Sequence, residues 1–172
     1  METRITGSVR TLCQAAARSC ERLGYHTVIL TDQLACEARE AGSFLASIAR
    51  SHANSQKSLA FIAGGETVVR VIGSGKGGRN QELALAAAPG ISGLAGTAVF
   101  SLGSDGTDGP TDAAGGFCDG STKKRLKEQN IDIYEVLKAN DAYHALKNCG
   151  GLIVTGPTGT NVNDLAVVLI AR

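Results

Sequence analysis

Thr97-Ala98-Val99-Phe100-Ser101-Leu102 runs without interruption into Gly103-Ser104-Asp105-Gly106-Thr107-Asp108-Gly109-Pro110-Thr111-Asp112-Ala113-Ala114-Gly115-Gly116. The first part is apolar and partly β-branched or aromatic, the composition of a buried strand. The second mixes glycine, aspartate, hydroxyl residues and one proline, the composition of a loop. A strand that delivers carboxylates and glycines at its carboxyl end is the layout with which an α/β domain holds a ligand, because the binding crevice lies outside that end of the sheet.

The same layout recurs on both sides. Upstream, Arg79 to Ala88 reads as a helix preceded by a glycine loop at 73–78. Ser58 to Ala63 and Thr67 to Ile72 read as strands close enough to pair as a hairpin. Further back lie a helix over about 34–50, with Leu34, Ala38, Ala41, Leu45 and Ile48 on one stripe, and a strand from Tyr25 to Leu30 that breaks at Thr31-Asp32. A first helix over 9–23 ends at Gly24. Downstream, short helices fit about 119–128 and 131–147, the second broken near Asn140. Strands come next at Leu152–Thr155 and Asp164–Ile170, separated by Gly156-Pro157-Thr158-Gly159-Thr160. This alternation predicts one α/β domain over residues 1–172: three layers, with a mixed, mostly parallel β-sheet flanked by helices.

Composition narrows the partners. Seventeen basic against sixteen acidic residues leave a net charge of +1, so neither nucleic acid nor an anionic membrane is an expected partner, and any bound anion needs a local site. No apolar run is long enough to span a bilayer, and Met1 to Arg10 lacks a signal-type core. Five cysteines without a C-x-x-C pair favour neither zinc nor a disulfide framework, and a cytoplasmic setting is expected. Twenty-two glycines exceed the usual share of about 7%, and they gather between apolar runs, where backbone turns sharply or approaches a ligand.

Three constellations carry the candidate chemistry. In Gly73-Ser74-Gly75-Lys76-Gly77-Gly78-Arg79-Asn80-Gln81-Glu82, a glycine loop opening a helix offers backbone N–H groups and a positive dipole end to an oxyanion. Lys76 and Arg79 add charge, and Glu82, one turn after Arg79, is placed to orient its guanidinium. The loop is not a Walker A motif. It matches G-x-G-x-x-G, yet the acid about 20 residues on that would read a ribose is missing. In the second constellation, Asp105, Asp108 and Asp112 suit either Mg²⁺ ligation or, for Asp105 or Asp108, general-base work, while Asx-turns are the plain alternative. The third, Thr155 to Asp164, offers hydroxyls and amides but has the composition of any turn.

Taken together, these stretches resemble the MOFRL domain, the C-terminal part of glycerate 2-kinases. The likeness rests on Gly64-Gly65-Glu66-Thr67, Gly77-Gly78-Arg79-Asn80-Gln81-Glu82, the Gly103–Gly116 loop and Thr155-Gly156-Pro157-Thr158-Gly159-Thr160-Asn161-Val162-Asn163-Asp164, and covers nearly the whole chain. It implies ATP-dependent phosphorylation of D-glycerate to 2-phosphoglycerate with Mg²⁺, in a cleft shared with an N-terminal domain that this chain lacks. By that analogy the isolated chain is expected to be inactive, and a homodimer is allowed for. Arg79 and Asp105 are the expected catalytic residues. Gly75, Lys76, Gly77, Gly78, Asn80, Glu82, Ser104, Thr107, Thr158 and Asn161 are expected to hold substrate or phosphate, and Asp108 and Asp112 the metal. Two alternatives stand beside this: an NAD(P)H-dependent hydroxypyruvate reductase, a label some family members carry, and a non-catalytic folded module.

Overall fold

The computed structural model describes residues 7–172. Helix α1 (Val9–Arg22) starts at Ser8, whose hydroxyl accepts the Thr11 N–H. After it come β1 (His26–Leu34), α2 (Ala38–Ser51), β2 (Leu59–Gly65), α3 (Arg79–Ile91), β3 (Thr97–Gly103) and β4 (Gly115–Asp119). Helices α4 (Thr122–Glu128), α5 (Ile133–Lys138) and α6 (Ala142–Asn148) then lead to β5 (Leu152–Ile153) and β6 (Asp164–Ile170). Asn140, at φ +55°, makes the break between α5 and α6.

The six strands form one sheet in the order β1-β2-β6-β3-β4-β5. It is mixed and flanked by helices, as expected, but its pairing is mostly antiparallel rather than mostly parallel. Among the described residues only β1 and β2 pair in parallel. The reason is β6. Strands β2 and β3 point the same way, as the alternation of strands and helices suggests, but β6 inserts between them and runs against both.

That insertion also removes the expected Thr67–Ile72 hairpin. Both edges of β2 are taken, by β1 and β6, so no position beside it remains for a returning strand. Instead the chain leaves the sheet after Gly65, touches α2's start through one bridge (Glu37 with Val68), and carries Val68, Val71 and Ile72 exposed. Two further differences are smaller. Strand β1 continues to Leu34 across two register shifts instead of stopping at Thr31-Asp32. Residues 115–119 form β4, which the sequence conceals because Gly115 and Gly116 carry no side chain in which a period could be written.

Neighbouring residues along the strands feed opposite faces, as a pleat requires. Phe61, Val99 and Val168 join the larger core with α2, α3 and the α4–α6 helices, whereas Ile62 and Val167 pack with Cys13 and Ala17 under α1. Helix α3 is enclosed on most sides, and even Asn80, Gln81 and Glu82 in its first turn are buried. Its closest neighbour is α2, which crosses it at Gly42: a methyl group there would fall on the Leu83 carbonyl. Gly42→Ala therefore sets a helix-propensity gain of about 1 kcal/mol against an overpacking cost of about 1–3 kcal/mol. Because the obstructing atom is backbone, the cost wins. Urea denaturation should show a net loss of up to about 2 kcal/mol, and a gain in stability would contradict this packing.

Candidate active site

The last residue of β2, Gly65, and the last residue of β3, Gly103, both lie opposite Asp164, the first residue of β6. One end of the sheet thus collects the segments after β2, after β3 and before β6. Arg79, the first residue of α3, reaches this point. Its Nε and one terminal nitrogen donate to the two Asp164 oxygens at 2.5 and 3.0 Å, a side-on bidentate pair. The other terminal nitrogen, Nη1, stands 3.3 Å from Glu66 Oε1. The hydrogen bond to Asp164 is the main reason the Arg79 pKa lies above its ordinary value; burial opposes it, and the charges of Asp164, Glu66 and Asp108 add to it.

Beside this cluster opens a cleft of about 530 Å³, lined by Thr67, Val69, Val71, Gly77, Arg79 and Pro110 among others. Thr67 is 4% exposed, and its hydroxyl has no hydrogen-bond partner among the described residues. A buried polar atom without a partner costs about 1–3 kcal/mol, and Thr67 is part of the cleft lining.

The glycine loop is built differently from a phosphate cradle. Asn140 Oδ1 accepts the N–H groups of Ile72 and Gly73, each at 2.8 Å. The Gly75 N–H donates to the Ala139 carbonyl and the Lys76 N–H to Asp141 Oδ1, while the Lys76 carbonyl accepts from Tyr143. The loop therefore lies along residues 139–143 as along a template. Gly73 and Gly75 are required because a side chain at either would collide with the backbone at Ala139 or Asp141. Of the backbone donors expected to meet an oxyanion, those of Gly77, Gly78 and Arg79 make no hydrogen bond among the described residues. Lys76 is not a free cation either, since its Nζ sits 4.4 Å from the centroid of the Tyr143 ring.

The role expected of Asp108 is the one most plainly corrected. Its Oδ1 accepts the Asn80 N–H and side-chain amide, and its Oδ2 accepts the Gln81 N–H and side-chain amide. These fill about the four lone-pair directions a carboxylate has, so it caps α3 and has none left for Mg²⁺. Burial pushes its carboxyl above the ordinary range, and the bonds from Gln81 and Asn80 pull it back. The helix end that was to receive a ligand anion already holds this one. Asp112 accepts the Tyr143 hydroxyl at 2.8 Å, which keeps its carboxyl below the usual range. No three His, Cys, Asp or Glu side chains gather into a metal-holding group among the described residues.

Other expectations divide in two. Gly75, Gly77, Gly78, Arg79 and Glu82 line the cleft. Glu82, however, does not orient Arg79. It is buried and receives Arg39 Nε and the Asn140 amide, both at 3.1 Å. Asn80 is buried too, bonded to Asp108 and Ser101, so it does not face a substrate. Asp105, Ser104, Thr107, Thr158 and Asn161 lie outside the cleft lining. Asp105 accepts the Thr107 N–H in an Asx-turn, Ser104 Oγ accepts the Val162 N–H, and the Thr158 hydroxyl donates to the Ser104 carbonyl. Asn161 accepts the Asn163 N–H. The Ser104 and Thr158 bonds stitch the loop after β3 to the loop before β6, while those of Asp105 and Asn161 stay within their own loops.

Glu66, Thr67, Asn140 and Asp164 carry parts of the site that the sequence did not assign. The two at 66–67 were hidden by the hairpin reading, and Asp164 by its place at the edge of a turn-like stretch.

The sequence profile of the MOFRL family matches residues 59–164, most of the chain and all of the cleft. This chain belongs to the MOFRL family. A D-glycerate 2-kinase of Thermotoga maritima is 52% identical over 99% of the chain, which corresponds to 42% of that protein. The crystal structure of a Thermotoga maritima glycerate kinase superposes with a TM-score of 0.95 at 52% identity, over 99% of this chain and 42% of the other. A putative hydroxypyruvate reductase of Agrobacterium vitis is 37% identical over 98% of the chain and 40% of its own length. This MOFRL chain thus spans about two fifths of the length of the relatives it matches.

The template for the glycine loop is testable in the MOFRL chain itself. Asn140→Gly tolerates the positive φ but removes both side-chain bonds to the loop and the bond to Glu82. It should cost about 2–3 kcal/mol and speed amide exchange at Ile72 and Gly73 at least about tenfold. Unchanged exchange at those two amides would remove Asn140 from this role.

Proposed function

We propose that this chain forms one wall of the active site of a kinase that transfers phosphate from ATP to a hydroxyl of a small sugar acid, D-glycerate to 2-phosphoglycerate, the remaining wall coming from an N-terminal domain. The observation that carries the reading is the Arg79 clamp. Phosphoryl transfer needs positioning and neutralisation of spread negative charge more than covalent chemistry from the protein. Asp164 holds the guanidinium so that Nη1 alone is open to exchange. The Thr67 hydroxyl and the backbone donors of Gly77, Gly78 and Arg79 belong to the same cleft. Together they suit a carboxylate or phosphoryl oxygen. ATP supplies the transferred group; this chain's part is to fix the oxyanion it meets.

Names of relatives support the kinase reading. A reductase reading finds less support, because the Gly73 and Gly75 amides of the G-x-G-x-x-G string are engaged with Asn140 and Ala139 and the ribose-reading acid is missing. Among the described residues no helix is long and apolar enough to cross a membrane; a cytoplasmic setting is proposed together with the kinase reading.

In a full-length kinase carrying this domain, Arg79→Ala should lower kcat/KM for D-glycerate by about 10²-fold or more in a coupled ADP-release assay. Arg79→Lys should recover little, since an ammonium cannot make the side-on pair with Asp164. Wild-type turnover in Arg79→Ala would end the assignment.

A further inference from the structure

Arg79 is held by two carboxylates of unequal standing. Asp164 is 8% exposed and engages two guanidinium nitrogens, whereas Glu66 is 54% exposed and engages one. The pair with exposed Glu66 is the weaker, because solvent screens it and a single contact holds it, whereas nearly buried Asp164 keeps two hydrogen bonds. An anion entering the cleft therefore displaces Glu66 and leaves Asp164 in place. The Glu66 backbone stays where it is, because its N–H is bonded to the Leu34 carbonyl and the next residue but one is tied to Cys36. Only its side chain can swing.

A displaced Glu66 remains within reach of the anion that displaced it. If that anion carries no hydrogen-bond donor, two like charges are left side by side, which is unfavourable. If it carries a hydroxyl group near its charge, the Glu66 carboxylate accepts that hydroxyl, and the repulsion is replaced by a charge-assisted hydrogen bond. We propose that Glu66 is the specificity-determining residue of the cleft: it holds the open edge of Arg79 against simple anions and yields it to small hydroxy acids, whose acidic group takes Nη1 while their hydroxyl is accepted by Glu66. Thr67, buried beside it with its hydroxyl unpartnered, supplies a further donor to the same ligand. The inference rests on reading this cleft as the seat of the acid and adds which feature of the acid is recognised, an anion with an adjacent hydroxyl.

The test is calorimetric titration of the 172-residue chain with D-glycerate, propionate and sulfate, on wild type, Glu66→Gln, Glu66→Ala and Arg79→Ala. The expected result is that both Glu66 variants bind sulfate and propionate at least about fivefold more tightly than wild type, and that the preference for D-glycerate over propionate shrinks by a similar factor, since a like charge has gone and an acceptor has been lost. Sulfate affinity and the glycerate-to-propionate ratio both unchanged, with binding still abolished by Arg79→Ala, would overturn the role of Glu66 and leave the cleft reading intact. Anion binding insensitive to Arg79→Ala, or no binding by any variant, would overturn both.

Discussion

A carboxylate at the start of a central strand is the constraint on which this end of the molecule depends. Asp164 opens β6, between the ends of β2 and β3, and is almost wholly buried. A charge set that deep needs a partner to be stable there. Arg79 removes the difficulty, and its position is set by where α3 begins. The pair thus ties the third strand of the sheet to the first turn of its most enclosed helix, and one guanidinium edge is left facing the cleft.

Around that pair, most polar groups serve to hold others still. Asp108 satisfies four donors at the start of α3, and Asn140 gathers the glycine loop and Glu82. Glu82 in turn answers Arg39 from α2. Buried networks of this kind cost much if half-made and rigidify when complete. Here nearly every member is satisfied, and the Thr67 hydroxyl stands out as an exception beside the cleft. Rigid surroundings with a few open donors are what an electrostatic site requires, because donors that need not reorganise are worth more when charge develops.

Much of the fold is legible in the residues. The apolar stripe of α2, the run at Thr97–Leu102 and the closing strand at Asp164–Ile170 give elements that the structure contains. Strand neighbours are not legible, because nothing in a β-branched run states which other run it will lie beside. The insertion of β6 between β2 and β3 is a long-range event, and it accounts for both the antiparallel pairing and the lost hairpin. The site shows a similar division. Glycine, arginine and aspartate in close sequence do gather at one end of the sheet, around the cleft. Their individual roles invert, however, wherever a group meets a partner distant in sequence: Asp108 lies nearly thirty residues from the amides it caps, and Glu82 turns to Arg39 instead of its helical neighbour Arg79. Spacing within a loop carries information about local geometry. It carries little about which polar atoms the fold will already have engaged.

A G-x-G-x-x-G string is compatible with two opposite uses of small residues: letting a ligand approach backbone, or letting another part of the chain do so. At Gly73 and Gly75 the approaching atoms belong to residues 139–141, so the loop's first amides are satisfied internally and the open donors shift to Arg79 and the end of the loop. That shift matters energetically. A guanidinium about one-third exposed acts through solvent of high dielectric, where a charge pair at contact is worth only about 1 kcal/mol. The lip of the cleft is apolar and open, with Val68, Val71 and Ile72 facing outward. Covering that lip would raise the strength of every donor already in place by excluding water, so for a site arranged like this one a second wall contributes more than another charged side chain would.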